Sequence, residues 1–148
     1  MKWLLDTNVA SESVRARPSP AVIRWIAARP PEELAISIVT LAELRDGALT
    51  ARDEARRRVL SQWIDTEIAN SFHNRTLSLT TEILIDWLQL SRRLTAKGRP
   101  QVAADLLIAS TARVHDLVVA SRNTRHFAGT GVIVYDPWSG KTHKTGPP

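Results

Sequence analysis

The sequence predicts an α/β fold in which a parallel sheet is covered by helices on both faces. Short apolar runs of strand length alternate along the chain with longer segments whose apolar residues recur at helical spacing. Strands that are separated by helices pair in parallel, and such a sheet is buried on both sides. With 148 residues, 43% of them hydrophobic, the chain is long enough for one domain with its own core.

The first half of the chain gives two strands and three helices. They are a strand at 2–5, a helix between Pro20 and Pro30, a strand at 34–39, a helix opened by Thr40 and a helix at 52–69. Proline is favoured in the first turn of a helix and ends one when it follows. Residues 34–39 are rich in β-branched side chains, which favour a buried strand. Residues 52–69 are amphipathic, with apolar side chains on one face.

The second half continues the alternation. It contains a strand at 76–79, a helix at 82–97, a helix at 100–115 and strands at 117–120 and 132–135. Gly98 ends the first of these helices, and Pro100 introduces the second. From residue 139 onward the chain is polar and contains Gly and Pro, so we expect a disordered tail over 139–148. No internal repeat or linker divides the chain, and the predicted domain is 1–138.

The composition excludes several kinds of protein. The chain has no cysteine, which excludes disulfides and thiolate metal sites. No apolar stretch approaches the roughly 20 residues of a membrane span, and the apolar start reaches Asp6 too soon for a signal peptide. We therefore expect a cytoplasmic protein that does not associate with membranes.

The net charge and the absence of several catalytic motifs reduce the number of possible functions. The net charge of +5, carried mainly by arginine, favours a polyanionic partner such as nucleic acid. Residues 1–148 contain no Gly-rich phosphate loop at a strand–helix turn, no G-x-S-x-G nucleophile turn and no H-x-x-x-H pair for zinc. A basic surface around an acidic pocket is what a metal-dependent phosphodiesterase needs.

Four polar residues are predicted to meet at one edge of the sheet. Asp6 directly follows the first strand, and Glu43 and Asn123 lie just beyond the second and fourth strands. Asp105 lies near the start of the helix that follows Pro100. The carboxyl ends of parallel strands form the usual functional crevice. Clustered carboxylates are costly unless a cation is present, so the pattern indicates a hard divalent metal.

Each acid also has a purely structural interpretation. Glu43 could form a capping box with Thr40, reaching back to the Thr40 backbone N–H. Asp6 could cap the end of its strand, and Asp105 could complement a helix dipole. Each interpretation is credible alone. Three such residues at one edge of one sheet favour a functional site.

The segments around these residues resemble the PIN-domain toxins of the VapC family, including the FitB-like branch. The resemblance runs from Trp3 to Trp138, in order, and rests on five segments: LLDTNV at 4–9, IVTLAEL at 38–44, ADLLIASTA at 104–112, SRNTRHF at 121–127 and YDPW at 135–138. It implies a PIN-like three-layer α/β/α sandwich with a central parallel sheet. It also implies an endoribonuclease that depends on Mg²⁺ or Mn²⁺, a cognate antitoxin protein that blocks the site, a homodimer, and a higher assembly with the antitoxin.

The resemblance also assigns roles to residues. Asp6, Glu43 and Asp105 match the three main acidic positions of the family, and the fourth acidic position is the neutral Asn123. Asp6 and Asp105 would bind the metal directly, while Glu43 would bind through water or orient the attacking water. Asn123 would offer one carbonyl oxygen or act through Asp6 or a water. The supporting hydrogen-bonding residues would be Thr7, Asn8 and Ser121.

Two alternatives to the ribonuclease toxin stay open. The neutral Asn123 allows a catalytically weak PIN-like module that binds nucleic acid or regulates without cutting it. The second alternative is an unrelated α/β enzyme that acts on small phosphorylated molecules. The chain lacks a Gly-rich phosphate loop for that activity, and its scattered arginines fit a long polyanion better.

Overall fold

The computed structural model describes residues 1–147, and a six-stranded sheet lies at its centre. The strands are β1 (Trp3–Leu5), β2 (Leu34–Ser37), β3 (Thr76–Leu77), β4 (Val118–Ala120), β5 (Ile133–Asp136) and β6 (Lys141–Lys144). Their order across the sheet is β3-β2-β1-β4-β5-β6. The first five strands are parallel, and β6 pairs antiparallel with β5.

Helices connect the strands and cover both faces. They are α1 (Thr7–Ala10), α2 (Pro20–Ala27), α3 (Ile38–Leu49), α4 (Glu54–Trp63), α5 (Ala69–Ser71), α6 (Thr81–Ala96) and α7 (Ala103–Val114). A π-helical segment, Ile64–Ile68, joins α4 to α5. None of the helices within residues 1–147 combines the length and apolar character that a membrane crossing requires.

Alternating strand residues divide the core into two clusters. Leu5 and Ile36 pack with residues of α2, α4 and the π-helical segment on one face of the sheet. Leu4 and Ala35 pack with residues of α6 and α7 on the other face. This separation follows from the period of two in a strand, which sends neighbouring side chains to opposite faces. The predicted three-layer α/β/α sandwich is confirmed.

The boundary between β2 and α3 corrects one prediction. The strand ends at Ser37 rather than at Val39, because the Ser37 hydroxyl caps α3 and accepts a hydrogen bond of 3.0 Å from the Thr40 N–H. Serine is a favoured N-cap residue, and its signal outweighs the β-branched run that follows. Thr40 therefore lies inside the helix, and the proposed capping box of Thr40 and Glu43 is wrong.

The expected disordered tail over 139–148 is wrong for Lys141–Lys144, which form β6 and extend the sheet past the predicted domain end at 138. Gly140, with a φ of 71°, makes the turn possible, and its N–H donates to the Asp136 carbonyl at 2.8 Å. A strand at the sheet edge can face solvent on both sides, which explains why a polar sequence forms it. Pro148, the last residue of the predicted tail, lies outside the described residues.

The other predicted strands and helices are present, with shifted ends. The predicted helix 52–69 is the continuous run of α4, the π-helical segment and α5. The helix predicted from residue 100 begins at Ala103, and the strand predicted at 76–79 is only Thr76–Leu77. The four-residue α1 was not predicted. It directly follows β1, so Asp6 lies between a strand and a helix.

Candidate active site

Asp6 is a buried carboxylate with three hydrogen-bond donors. Its side chain is at the carboxyl end of β1, and the residue is only 5% exposed. Oδ1 accepts from the Thr7 backbone N–H at 2.8 Å, so Asp6 caps α1. Oδ2 accepts from Asn8 Nδ2 at 2.8 Å and from Ser121 Oγ at 2.5 Å. The capping interpretation of Asp6 is thus correct, and capping still leaves Oδ2 in a polar network shared with β4.

Ser121 and Asn8 join the ends of β1 and β4. Ser121 Oγ also lies 3.3 Å from Asn8 Nδ2 and accepts the Asn123 backbone N–H at 3.0 Å. Asn8 Oδ1 accepts the backbone N–H of Arg122 at 3.2 Å. The side chains of Asn8 and Ser121 therefore both hydrogen-bond to Asp6 at this edge of the sheet.

Glu43 reaches the same edge from α3. Its carboxylate accepts a hydrogen bond from the Thr7 hydroxyl, while the Thr7 backbone N–H binds Asp6. Thr7 therefore contacts both its neighbour Asp6 and Glu43, which lies 36 residues further along the chain. Glu43 is directed toward the end of β1 rather than toward its own helix start.

Asp105 reaches the edge from the first turn of α7. Its side chain is 16% exposed, and Oδ2 lies 3.2 Å from Nδ1 of His126. Burial raises the pKa of Asp105 above its ordinary value of 3.8; His126 opposes the rise, and the negative charges of Asp6 and Glu43 add to it. Asp105 therefore lies within the electrostatic reach of both other acids.

Asn123 joins this network through its backbone. It precedes a short turn of 3₁₀-helix, Thr124–Phe127, after β4, and its carbonyl accepts the His126 N–H at 3.0 Å. Asn123 is exposed, and within residues 1–147 its side chain makes no hydrogen bond. The amide is at the predicted edge of the sheet, but in the described residues it forms no hydrogen bond with the three acids.

The donor set fits a hard divalent cation in its chemistry, although the side chains do not yet surround a common point. Within residues 1–147, no three His, Asp or Glu side chains lie close enough together to hold a metal ion. The available donors are carboxylate, amide and hydroxyl oxygens, the ligands that Mg²⁺ and Mn²⁺ prefer. Burial is the main cause of the raised pKa of Asp105, and the negative charges of Asp6 and Glu43 add to it, so a cation bound here would favour the charged carboxylate.

His126 is the site residue that the sequence reasoning missed. The histidines were considered only as zinc pairs, whereas His126 approaches an acid from a different segment of the chain. A usable signal was its place three residues after Asn123. A tight turn after β4 brings positions 123 and 126 to the same edge of the sheet.

A comparison with known families identifies the fold around this site. The model of the PIN domain matches residues 3–132, which is most of the chain. The chain belongs to the PIN-domain family. Its acids at 6, 43 and 105 and the neutral residue at 123 all lie within the matched part.

Two curated relatives cover nearly the whole chain. Toxin FitB of Neisseria gonorrhoeae is 34% identical over 135 residues, which are 91% of this chain and 97% of that protein. The VapC ribonuclease Y4jK of Sinorhizobium fredii is 33% identical over 135 residues, covering 91% and 96% of the two chains.

Solved structures of similar chains agree with the fold. The structure of FitAcB from Neisseria gonorrhoeae superimposes with a TM-score of 0.86 at 34% identity, covering 92% of this PIN-domain chain and 98% of the other. A toxin–antitoxin complex from Klebsiella pneumoniae gives a TM-score of 0.66 at 25% identity, with 92% and 98% covered.

Proposed function

We propose that the protein is the toxin of a toxin–antitoxin pair and acts in the cytoplasm as an Mg²⁺-dependent endoribonuclease, with Mn²⁺ as an alternative ion. The observation that carries the proposal is the convergence of acids from three separate segments. Asp6 and Glu43 share the hydroxyl and amide of Thr7, and their charges add to the effect of burial, which is the main cause of the raised pKa of Asp105. The names of the relatives, a toxin and a VapC ribonuclease, agree with this chemistry. The net charge of +5 suits an RNA substrate.

The side chains divide the work of hydrolysis. Asp6 and Asp105 would hold the metal, which when bound supplies a more acidic water and offsets charge on the phosphate. Three donors fix the orientation of Asp6 before any ligand arrives. Glu43, held by Thr7, orients the attacking water and accepts its proton. Asn8 and Ser121 keep the ends of β1 and β4 together.

The neutral Asn123 bears on the number of metal ions. An amide offers one carbonyl oxygen and no charge, whereas a carboxylate there would add a fourth negative group. We propose one tight metal position. Titration calorimetry with Mn²⁺ should give one site for the natural chain and a second or tighter site for Asn123→Asp. Identical isotherms for the two proteins would place Asn123 outside the influence of the metal.

The decisive experiment is cleavage followed by sequencing of the RNA ends. Purified protein with Mg²⁺ should leave a 5′-phosphate on one product and a 3′-hydroxyl on the other, as expected for a PIN-type hydrolysis. EDTA should stop the reaction, and Asp105→Asn should not cut. Full cleavage by the purified Asp105→Asn protein would refute the site assignment.

A binding module without cleavage is the second candidate. It is favoured by the neutral side chain of Asn123. Measuring RNA binding and RNA cleavage together distinguishes the binding module from the ribonuclease. A module would bind RNA in EDTA with the same affinity as the proposed enzyme, and would leave the RNA intact in Mg²⁺ and in Mn²⁺.

A groove beside the site is the proposed docking surface for the antitoxin. It has a volume of about 640 Å³ and includes Leu5 and Ala10, which flank the segment that carries Asp6. The rest of its lining is mostly apolar and includes three charged residues: Arg29, Glu67 and Arg75. An apolar helix or extended segment of the antitoxin would lie there, as an amphipathic segment lies in a groove. Similar chains occur in a toxin–antitoxin complex, which supports this partner.

A basic side chain of the antitoxin would reach the acids from this groove. An Arg there would pair with the carboxylates and compete with the metal. Antitoxin affinity should therefore fall as Mg²⁺ rises, and Ile23→Glu in the groove should abolish the complex. Val59→Glu, on the exposed part of α4, is the matched control and should leave binding intact. If the antitoxin affinity does not depend on Mg²⁺, competition between the antitoxin's basic side chain and the metal is refuted, but docking in the groove is not.

An exposed apolar stripe on α6 is the proposed contact of a homodimer, which would assemble further with the antitoxin. Leu84, Ile85 and Leu88 are 38%, 51% and 43% exposed and follow helical spacing along one side. Light scattering should show a dimer for the natural chain and a monomer for Ile85→Glu with Leu88→Glu. Val59→Glu, also 51% exposed in its natural form, should stay dimeric.

A further inference from the structure

The edge of the sheet that carries the acids continues past Asp6 toward β5 and β6. In the sheet order, β4 lies beside β1, followed by β5 and β6. Arg122 follows β4, Trp138 follows β5, and Lys141 begins β6 opposite Asp136 at the end of β5. These three residues therefore occupy the same edge of the sheet as Asp6, on one side of it.

The side chain of Asn8 connects Arg122 to Asp6. Its backbone N–H donates to Asn8 Oδ1 at 3.2 Å, and the amide nitrogen of Asn8 donates to Asp6 at 2.8 Å. The guanidinium of Arg122 lies over the indole of Trp138, with its central carbon 5.4 Å from the ring centroid. Stacking on an aromatic ring holds a guanidinium in place without neutralising its charge.

The loop between β5 and β6 fixes Trp138. The Asp136 carboxylate accepts from the Trp138 backbone N–H at 2.9 Å and from the Ser139 hydroxyl at 2.6 Å. The indole is partly buried against the core cluster on the α2 side of the sheet. Because Asp136 is engaged by its own turn, it forms no salt bridge with Arg122 in residues 1–147. These hydrogen bonds and the partial burial hold the Trp138 ring beside the Arg122 guanidinium.

The cations on this side are exposed and have no acidic partners. Arg122, Arg125 and Lys141 are exposed, and none of them forms a salt bridge within the part of the chain that the structure describes. Elsewhere on the surface, Arg45 and Arg58 are paired with acids at 2.7 and 2.8 Å. Unpaired, exposed cations next to a candidate phosphodiesterase site are available to phosphate oxygens.

We propose that Arg122, Trp138 and Lys141, called here the Arg122 surface, bind the sugar–phosphate backbone of single-stranded RNA on one side of the bond that is cut. This inference rests on the proposed ribonuclease function and adds the path of the substrate. Arg122 receives the nearer phosphate and Lys141 the farther one, because β5 separates β4 from β6. Lys141 lies outside residues 3–132, the part that matches the PIN-domain model, so this contact is supplied by the C-terminal strand.

Binding without cleavage tests the surface directly. Fluorescence anisotropy with a labelled single-stranded RNA in EDTA should show about a 3- to 10-fold loss of affinity for Arg122→Gln and for Lys141→Gln. Each substitution should also lower the slope of log affinity against log salt by about 0.7, the value for one lost phosphate contact on a single strand. Arg92→Gln on α6 removes an exposed arginine in the opposite layer and should change neither quantity.

Substrate truncation then locates the contact. With Mg²⁺, Arg122→Gln should raise KM with little change in kcat on a long RNA. Shortening the RNA from one of its two ends should abolish the difference in KM between the natural chain and Arg122→Gln. Shortening it from the other end should leave that difference in place. Arg122→Lys, which keeps the charge but not the planar group, should fall between the two.

The outcomes separate this inference from the proposed function. Loss of RNA affinity in Arg122→Gln, together with no cleavage by any form, would support the Arg122 surface and refute the ribonuclease. Cleavage by the natural chain with equal RNA affinity for Arg122→Gln and Arg92→Gln would refute the surface alone. An effect of Arg122→Gln that survives truncation at both ends, or no RNA binding by the natural chain, would also refute it.

Discussion

The two sides of the acidic site differ in how firmly they are built. Asp6 is 5% exposed and accepts hydrogen bonds from Thr7, Asn8 and Ser121, two of which lie within two residues of it. Within residues 1–147, the Asp105 side chain makes one polar contact, to His126 Nδ1 at 3.2 Å, and burial raises its pKa. Both are carboxylates at the same edge of the sheet. Asp6 is therefore held by three hydrogen-bond donors, whereas Asp105 is approached by His126 alone among the described residues.

This difference suggests a division between a fixed ligand and an adjustable one. The donors around Asp6 belong to β1, α1 and the end of β4, so the fold itself sets its orientation. Asp105 stands on α7, and its contact comes from a histidine that is half exposed. A bound cation would give the Asp105 carboxylate a further contact in addition to His126. The predictions below test this division, beginning with the largest effect.

Asp6 and Asp105 should both be indispensable for cleavage, and substituting either one should give the largest effect that we expect. Asp6→Asn and Asp105→Asn each remove a negative ligand, and we expect RNA cleavage to fall by at least about a hundredfold in each, because even outer-shell losses cost 10- to 100-fold. Initial rates with Mg²⁺ measure this, with circular dichroism as a control for folding. A variant of either residue that cuts within threefold of the natural rate would remove that residue from the site.

The fixed side should be coupled to stability. Ser121→Ala removes a donor to buried Asp6 and the acceptor of the Asn123 N–H, and it should lower the free energy of unfolding by about 1–3 kcal/mol. Ser139→Ala removes an exposed hydroxyl bonded to half-buried Asp136 and should change the free energy of unfolding by less than about 0.5 kcal/mol. Urea denaturation in EDTA gives both values. Equal values for the two serines would contradict the fixed role of the Asp6 network.

The adjustable side should depend on one nitrogen of His126. His126→Asn places an amide N–H near the position of Nδ1, whereas His126→Gln places it near Nε2. If the contact at 3.2 Å orients Asp105, Mn²⁺ affinity should fall about tenfold in His126→Gln and His126→Ala but stay close to natural in His126→Asn. Titration calorimetry provides the affinities. Tighter Mn²⁺ binding in all three variants would mean that His126 competes with the ion instead.

The smallest expected effect is on thermal stability without metal. The pKa of Asp105 is raised in the folded state above 3.8, so its favourable contribution is complete below that pH and is lost as the pH rises through the folded value. Asp105→Asn does not ionise. Its Tm in EDTA should exceed that of the natural chain by a few degrees, and the difference should grow as the pH rises above 3.8 and then level off. A difference that shrinks over this range would contradict the raised pKa.

The sequence predicted the fold and the placement of the three acids at one edge of the sheet for identifiable reasons. Leu4 and Leu5 point to opposite faces because strands alternate, and the acids were placed correctly because polar residues after parallel strands share one edge. Contacts between distant segments were less predictable. The contact of Thr7 with Glu43 joins residues 36 positions apart, and that of His126 with Asp105 depends on how α7 packs.

Local signals also misled where tertiary structure decided the outcome. Ile38 and Val39 have strand propensity, yet the Ser37 cap places them in a helix. The polar composition of Lys141–Lys144 indicated disorder, yet pairing with β5 supplies hydrogen bonds that the composition cannot reveal. In both cases a specific hydrogen bond outweighed an average preference.

The pairing of β6 also has a consequence for solubility. An unpaired edge strand exposes N–H and C=O groups that recruit other chains, and lysines on an edge strand discourage such pairing. β6 covers β5, and it carries Lys141 and Lys144. At the opposite margin, β3 is only two residues long and offers little for another strand to pair with. A chain cut after Trp138 would expose β5 and tend to aggregate, so loss of activity in that truncation would measure precipitation rather than catalysis.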